Sequence, residues 1–411
     1  MNVLFVTISW PREGERNIYT HLMDEFIKNG HTVFVVCSDE QGLNKSTRVS
    51  IEKNLHVLQV SSGNIKKAPY IKKGVALLLL GWQMKIAIRS YYKQVDFDLI
   101  VCSTPPITLS GLVAYLKNKY QIPVYLLLKD IWPQSSVDFH IIKKGSLIYR
   151  FFRYHEKKMY GIADMIGCMS PKGVEYIIKK NPFISTAKVE ECPNSIIPGN
   201  KLDVDTKYIR EKYQIPLDAT VFIFSGNLGR GHGLEFLIAA IKALGDYKKA
   251  FFLIGGAGTH FEVLRKAFET MKPTNAYLYR RLPKEDFEQI IATSDVGLIL
   301  LDRAYSVPQF PSRLLSYLEN KKPVLCAINE GTDIGDIVEL HKCGKSVLHG
   351  DMVKFVEAVR FFSENPEKRK EMGKNARKLL IERYTADKSY RKIVRHFDIE
   401  NSLKTNSTAT M

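Results

Sequence analysis

The sequence predicts an α/β protein of two domains, each built on a parallel sheet with helices on both faces. Three observations carry that expectation. Short apolar, β-branched runs alternate with stretches of helical spacing almost throughout the chain. The alternation breaks once, at Pro193-Asn194-Ser195-Ile196-Ile197-Pro198-Gly199-Asn200, and then restarts. A length of 411 residues exceeds what one ordinary core takes up. The expected organisation is a first domain over 1–193, a hinge over 194–200 and a second domain over 201–384. Residues 385–411 read as a helix packing back on the first domain, followed by a frayed polar tail.

Within the first domain, 3–8, 32–37, 57–60, 99–102, 124–128, 165–169 and 189–192 read as strands. Helical patterns lie between them, as at 19–29 and 107–119. After the break, strands are expected at 221–225, 250–254, 276–279, 296–300, 323–327 and 345–348, each followed by a helical pattern. The long pattern over 353–399 contains Pro366 and reads as two or three helices.

Composition narrows the class of function. The apolar fraction of 45% and charged fraction of 25% suit a water-soluble globular chain. A formal charge of +17 favours anionic partners: phosphate groups, acidic lipid or nucleic acid. The six cysteines are scattered without a CxxC pair, as expected of buried thiols in a reducing compartment. The first residues enter a strand pattern directly and no apolar run is long enough to span a bilayer, so a cytoplasmic location is expected.

The most informative stretch runs from Val221 to Gly233. An apolar strand ends in a turn with glycines at 226, 229, 231 and 233, and a helical pattern follows at once. Such turns bring an anion close to main-chain amides at a helix start. It is not a Walker A loop, because His232-Gly233 stands where Lys-Ser/Thr is required. A dinucleotide fingerprint is poorly met, since the next strand ends in Ile254-Gly255-Gly256 without a ribose-binding acid. A diphosphate beside Arg230 and His232 remains as the ligand, against a turn that binds nothing. A second anion receptor is expected at Pro311-Ser312-Arg313, where Ser312 reads as an N-cap and Arg313 enters the first helical turn.

Gly226-Asn227-Leu228-Gly229, together with Pro311-Ser312-Arg313-Leu314-Leu315-Ser316-Tyr317-Leu318, resembles the donor domain of retaining glycosyltransferases of family 4. The nearest likeness is to the branch of WbuB-like and WcaI-like enzymes of O-antigen and capsule assembly. Phe5-Val6-Thr7, the loop at Gly14 and Asn29-Gly30-His31-Thr32-Val33 are similar to that family's opening, and Lys129-Asp130-Ile131-Trp132-Pro133 to an Asp-x-Trp-Pro element of this branch.

The resemblance implies a GT-B fold: two Rossmann-like domains with parallel sheets facing a central cleft. The second would hold a nucleotide-diphosphate sugar, as co-substrate rather than cofactor, through Gly226, Asn227, Arg230, His232, Arg281, Leu282, Ser312, Arg313 and Ser316. The first would take the acceptor, with Asp130 near the sugar and Glu13 and Gly14 in the loop opposite the diphosphate. No metal is expected, and the sequence has no clustered carboxylate or histidine motif for one. Cations and amides would neutralise the departing diphosphate instead. The chain departs from the family's pattern where Pro308 and Ser316 replace a glutamate pair, leaving Glu319 one turn away. Asn227 and His232 replace the usual basic pair, and a phosphate neighbour would favour a protonated His232.

Residues 66–93 and 149–158 join basic clusters to apolar and aromatic side chains, a pattern suited to an anionic bilayer. A polyprenyl-diphosphate-linked saccharide is the acceptor this implies, with the protein peripheral on the inner face of the cell membrane. Two other readings stay open at this level. A nucleotide-sugar 2-epimerase shares the architecture, and a basic chain also suits non-catalytic phosphate or nucleic-acid binding. Nucleic acid is disfavoured because the cations are dispersed and no recognised binding motif is present.

Overall fold

A computed structural model describes residues 1–12, 14–39, 46–62, 70–199, 204–280 and 284–397, with side chains for all of these but 70–75 and 284–285. The chain divides into two units, Met1–Ile197 with Ala386–Met411, and Pro198–Thr385.

The first unit carries an eight-stranded sheet. Its strands are β1 (Asn2–Val6), β2 (Thr32–Ser38), β3 (Arg48–Glu52), β4 (Leu55–Val60), β5 (Leu99–Thr104), β6 (Val124–Leu128), β7 (Met165–Cys168) and β8 (Val189–Glu191), in the order β3-β4-β2-β1-β5-β6-β7-β8. The central strands are buried on both faces, which is why they read as unbroken apolar runs. Every pairing is parallel except β3 with β4. The sequence predicts a sheet parallel throughout and no strand over 48–52; the antiparallel edge strand corrects both. Its alternation is weak, and Ile51 remains 66% exposed, so no core face marks it.

The helix Ile18–Lys28 starts on a reciprocal cap. Asn17 Oδ1 accepts from the amides of Tyr19 and Thr20, and the Thr20 hydroxyl accepts from the Asn17 amide at 2.8 Å. That helix buries Leu22, Met23 and Phe26 against β1 and β2. The helix Ala386–Val394 belongs to the same unit: Tyr390 meets Phe26 edge-on at 4.9 Å and its hydroxyl lies 2.9 Å from His31 Nε2.

In the second unit, β9 (Thr220–Asn227), β10 (Ala250–Ala257), β11 (Ala276–Tyr279), β12 (Val296–Leu300), β13 (Val324–Ile328) and β14 (Gly344–Leu348) form a parallel sheet in the order β11-β10-β9-β12-β13-β14. Phe222 and Phe252 stack at 5.4 Å in its core. Asp295 holds the foot of β9, accepting from the Val221 amide at 2.9 Å and pairing with Arg210 at 2.7 Å. The long C-terminal pattern resolves into three helices, Met352–Glu364, Pro366–Arg383 and Ala386–Val394, with Pro366 in the first turn of the second.

Candidate functional site

The glycine turn lies at the carboxyl end of the second sheet, where parallel α/β proteins place ligands. Strand β9 runs to Asn227, the chain crosses a short 3-10 turn at Arg230–His232, and Gly233 leads into the helix Leu234–Ala243. Gly233 has φ +55, and a Cβ there would stand 2.2 Å from His349 Nε2. Glycine is therefore required for both backbone angle and space.

Arg313 reaches this turn from the start of the helix Arg313–Glu319. Its Nη2 donates to the Asn227 carbonyl at 3.2 Å and lies 3.1 Å from His232 Nε2. Its Cζ stands 4.0 Å from the centre of the Phe224 ring, a cation–π contact. Nη1 is buried and has no hydrogen-bond acceptor among the described residues. Burial lowers the guanidinium to about 10, which leaves it charged at neutral pH.

The histidine beside it differs from expectation. His232 Nδ1 is 3.0 Å from the Leu300 carbonyl, so Nδ1 carries the proton and Nε2 accepts from Arg313. Burial first and the Arg313 charge second push its pKa down to about 3. It is an uncharged acceptor here, not a protonated phosphate ligand.

Ser312 is also corrected. It occupies the N-cap position, but its backbone is already helical (φ −62, ψ −21) and its side chain makes no capping bond. Among the other expected donor-site residues, Gly226 lies beside Arg313, with Nη2 3.9 Å from where a Cβ would be. Asn227 contributes its carbonyl, Arg230 is exposed at the first position of the 3-10 turn, and Ser316 is half-buried one helical turn after Arg313. Glu319 is occupied structurally: its Oε1 accepts from the Gly199 amide at 2.7 Å. Arg281 and Leu282 lie outside the described residues. Their neighbour Arg280 stacks over Phe261 at 5.2 Å, beside the end of β11. Sequence reasoning missed Phe224, because a buried strand aromatic looks like ordinary core.

In the first unit, Asp130 follows β6 at its carboxyl end. Its side chain is open to solvent yet surrounded by protein mass, and that desolvation raises its carboxyl above the usual range. Burial raises the Tyr19 phenol, with Ser103 hydrogen bonding against the shift and the Asp130 charge adding to it. Ser103 Oγ donates to Thr7 Oγ1 at 2.9 Å, so the ends of β1, β5 and β6 form one polar group with Tyr19. Lys129 lines a small cavity with Tyr19, Leu127, Cys192, Asn194 and Ser389, and burial lowers its amine to about 8. Gly14 is an exposed turn residue with φ +78 and open space where a Cβ would stand, so backbone angle alone favours glycine there. Glu13 lies outside the described residues.

Two helices of this unit expose apolar side chains. The helix Tyr70–Tyr91 shows Leu78, Leu79, Trp82 and Ile86, with Trp82 63% exposed, while Leu80, Met84 and Ile88 face the core. The helix Leu147–Ile162 shows Leu147, Ile148, Phe151 and Tyr154, with Leu147 83% exposed. Residues 66–69 of the first stretch lie outside the described residues. Among the described residues no helix is long and apolar enough to cross a membrane, and no group of three or more His, Cys, Asp or Glu side chains is disposed to hold a metal ion.

Two α/β units, one on a parallel sheet and one on a sheet parallel but for its β3 edge, the former with an arginine held over a glycine turn at its strand ends, place the protein in the GT-B class. The family model described as "Glycosyl transferases group 1" matches residues 205–379, and "Glycosyltransferase Family 4" matches 15–198. The chain belongs to family 4 of the glycosyltransferases, a family whose enzymes take nucleotide-sugar donors.

A protein of Pseudomonas aeruginosa named as glycosyltransferase WbjE is 25% identical over 66% of this chain and 66% of its own. A protein of Escherichia coli strain K12, named as the colanic acid biosynthesis glycosyl transferase WcaI, is 23% identical over 33% of each. The chain thus aligns with just under two thirds of the first relative and a third of the second. Among solved structures, sucrose-phosphate synthase of Thermosynechococcus elongatus superposes with TM-score 0.73 at 14% identity over 100% of both chains. WaaG, a glycosyltransferase of lipopolysaccharide biosynthesis, superposes with TM-score 0.66 at 14% identity, over 97% of this chain and 100% of its own. Anabaena HepE in complex with UDP superposes with TM-score 0.64 at 13% identity, over 96% and 99%. At these identities the structures show the fold alone.

Proposed function

We propose that this protein moves a sugar, with retention, from a nucleoside-diphosphate sugar to a lipid-linked saccharide in surface polysaccharide assembly. The observation that carries the reading is the Arg313 guanidinium, held over the glycine turn by Asn227, His232 and Phe224, with Nη1 buried and unmatched by any acceptor among the described residues. A buried donor without an acceptor is costly, and a phosphoryl oxygen would satisfy it with a charge-assisted bond. The same cation is then in place to stabilise the diphosphate as it leaves. Arg230, Ser312 and the turn amides complete the anion's surroundings, Ser316 and the 280–282 segment serve the nucleoside, and Asp130 faces the sugar. The WbjE and WcaI names support sugar transfer, the colanic acid in the WcaI name supports the polysaccharide role, and the UDP bound to HepE supports the donor class. The exposed apolar helices, with the charge of +17, support a peripheral place on an anionic leaflet, where a polyprenyl-diphosphate acceptor is presented.

The test is transfer from a panel of UDP-, GDP- and dTDP-sugars to polyprenyl-diphosphate-linked acceptors, with the anomeric configuration of the product read by NMR. Retained configuration in a lipid-linked product is the expected result. Release of an epimerised sugar without acceptor would replace the reading with the epimerase, and neither binding nor transfer across the panel would end it.

A further inference from the structure

The cation of the donor site is oriented by a neighbour that carries no charge. We infer that His232 is a positioning residue: a neutral hydrogen-bond acceptor that aims Arg313, leaving the Nη1 edge of the guanidinium for a phosphoryl oxygen of the donor diphosphate. The inference rests on the donor-site reading above and adds to it.

The geometry fixes each step. The Leu300 carbonyl at the end of β12 accepts a hydrogen bond from Nδ1–H at 3.0 Å, which leaves the lone pair on Nε2. That lone pair and the Asn227 carbonyl, at 3.1 and 3.2 Å, both accept from Arg313 Nη2. The Phe224 ring supports the flat face of the guanidinium and meets the His232 ring edge-on at 5.4 Å. One anchored nitrogen and one covered face restrain rotation about the end of the arginine side chain, and with it the placement of Nη1. Among the described residues no carboxylate pairs with Arg313. A carboxylate at the histidine's place would neutralise the cation, and a lysine would repel it. A neutral imidazole anchors it and leaves its charge for an incoming anion.

Asparagine and glutamine separate the two ring nitrogens, because the shorter amide reaches where Nδ1 stands and the longer one reaches where Nε2 stands. Binding of UDP, GDP, dTDP, their nucleosides and inorganic pyrophosphate would be measured by calorimetry on the parent, His232→Asn, His232→Gln and Arg313→Ala, and on Arg313→Ala combined with His232→Asn. His232→Asn should weaken the best-bound nucleoside diphosphate and pyrophosphate by about 10-fold or more, the scale of one hydrogen bond to a charged group, while nucleoside affinity stays unchanged. His232→Gln should recover most of the loss. In the Arg313→Ala background, His232→Asn should change nothing further. The inference is overturned if His232→Asn binds like the parent, if nucleoside binding falls equally, if the two losses add, or if the variant no longer folds. A parent that binds no nucleoside diphosphate overturns the donor reading itself, and the inference with it.

Discussion

Gly226 and Gly256 sit opposite each other at the ends of β9 and β10, so close that a Cβ on Gly256 would stand 1.8 Å from the Gly226 carbonyl oxygen. Gly256 also has φ +153. A side chain there must push the two strand ends apart exactly where the glycine turn begins to form the proposed anion site. Gly256→Ala is therefore expected to destabilise the protein by about 3 kcal/mol, from overpacking and backbone strain together. It should also reduce the thermal shift given by the best-bound nucleoside diphosphate. A variant with unaltered melting and nucleotide response would mean that the strand ends separate freely.

Arginine and lysine should part company at 313. A lysine keeps the charge but lacks the planar fork that bonds Asn227 and His232 while covering Phe224. Arg313→Lys should lower kcat/KM for the donor by about 10-fold or more, and Arg313→Ala should weaken donor binding by about 100-fold, a loss calorimetry still reads, with the fold intact. Circular dichroism checks the fold and calorimetry the binding. Parent-like affinity in Arg313→Ala would place the diphosphate elsewhere.

The strands were legible because parallel sheets bury both faces, so runs such as Leu99–Thr104 and Val124–Leu128 announce themselves. Strand β3 was not, because Arg48–Glu52 buries almost nothing. Glycines at 226 and 233 pointed to the turn through the backbone freedom they supply. The partners of Arg313 were hidden for another reason. Asn227, His232 and Phe224 meet it across the fold, 81 residues away in the case of His232, and Leu300 in turn holds His232; no local pattern records such meetings. Charge state was hidden too: a histidine in a glycine loop reads as a phosphate ligand until its burial and its cationic neighbour are known.

Stability should depend on pH through that histidine. His232 has a native pKa of about 3 against an ordinary 6.5. Between those values the unfolded chain binds a proton that the native protein does not, so stability rises with pH across the window, is complete above 6.5 and is lost as pH falls. The slope is about 1.4 kcal/mol per pH unit where the histidine differs fully between states. His21, at about 4 through burial and Arg16, acts in the same direction. Denaturation at pH 7 and pH 5 should show the parent losing more stability than His232→Gln; equal losses would mean the imidazole is accessible to protons in the native state.

The opposite end of the pH scale tests Lys129. Burial holds its amine at about 8 instead of 10.5, so at pH 7 the native state keeps a cation in an unfavourable place. Lys129→Met should be more stable than the parent at pH 7 by on the order of 2 kcal/mol, a figure that allows for partial exposure. The gap should narrow as pH rises from 8 towards 10.5, where the unfolded chain still binds the proton that the native amine has released. Comparing the two proteins cancels the buried thiols and phenols, which titrate in both. A gap that does not change with pH would assign the gain to packing alone.

The exposed apolar helices make the last prediction. Trp82 with Leu78 and Leu79, and Phe151 with Leu147 and Ile148, stand on helices that also carry Lys85, Arg89, Arg150, Lys157 and Lys158. Apolar insertion and charge attraction respond differently to salt, because only the second is screened. The parent should sediment with vesicles containing anionic phospholipid and much less with neutral ones, and raising the salt should reduce binding without abolishing it. Replacing Trp82 and Phe151 together by serine should weaken binding about 10-fold or more, given the area each aromatic ring buries, while melting changes little because neither side chain lies in the core. Binding that vanishes entirely in high salt would make the contact purely electrostatic. Binding that ignores the double substitution would move the membrane-facing surface elsewhere on the molecule.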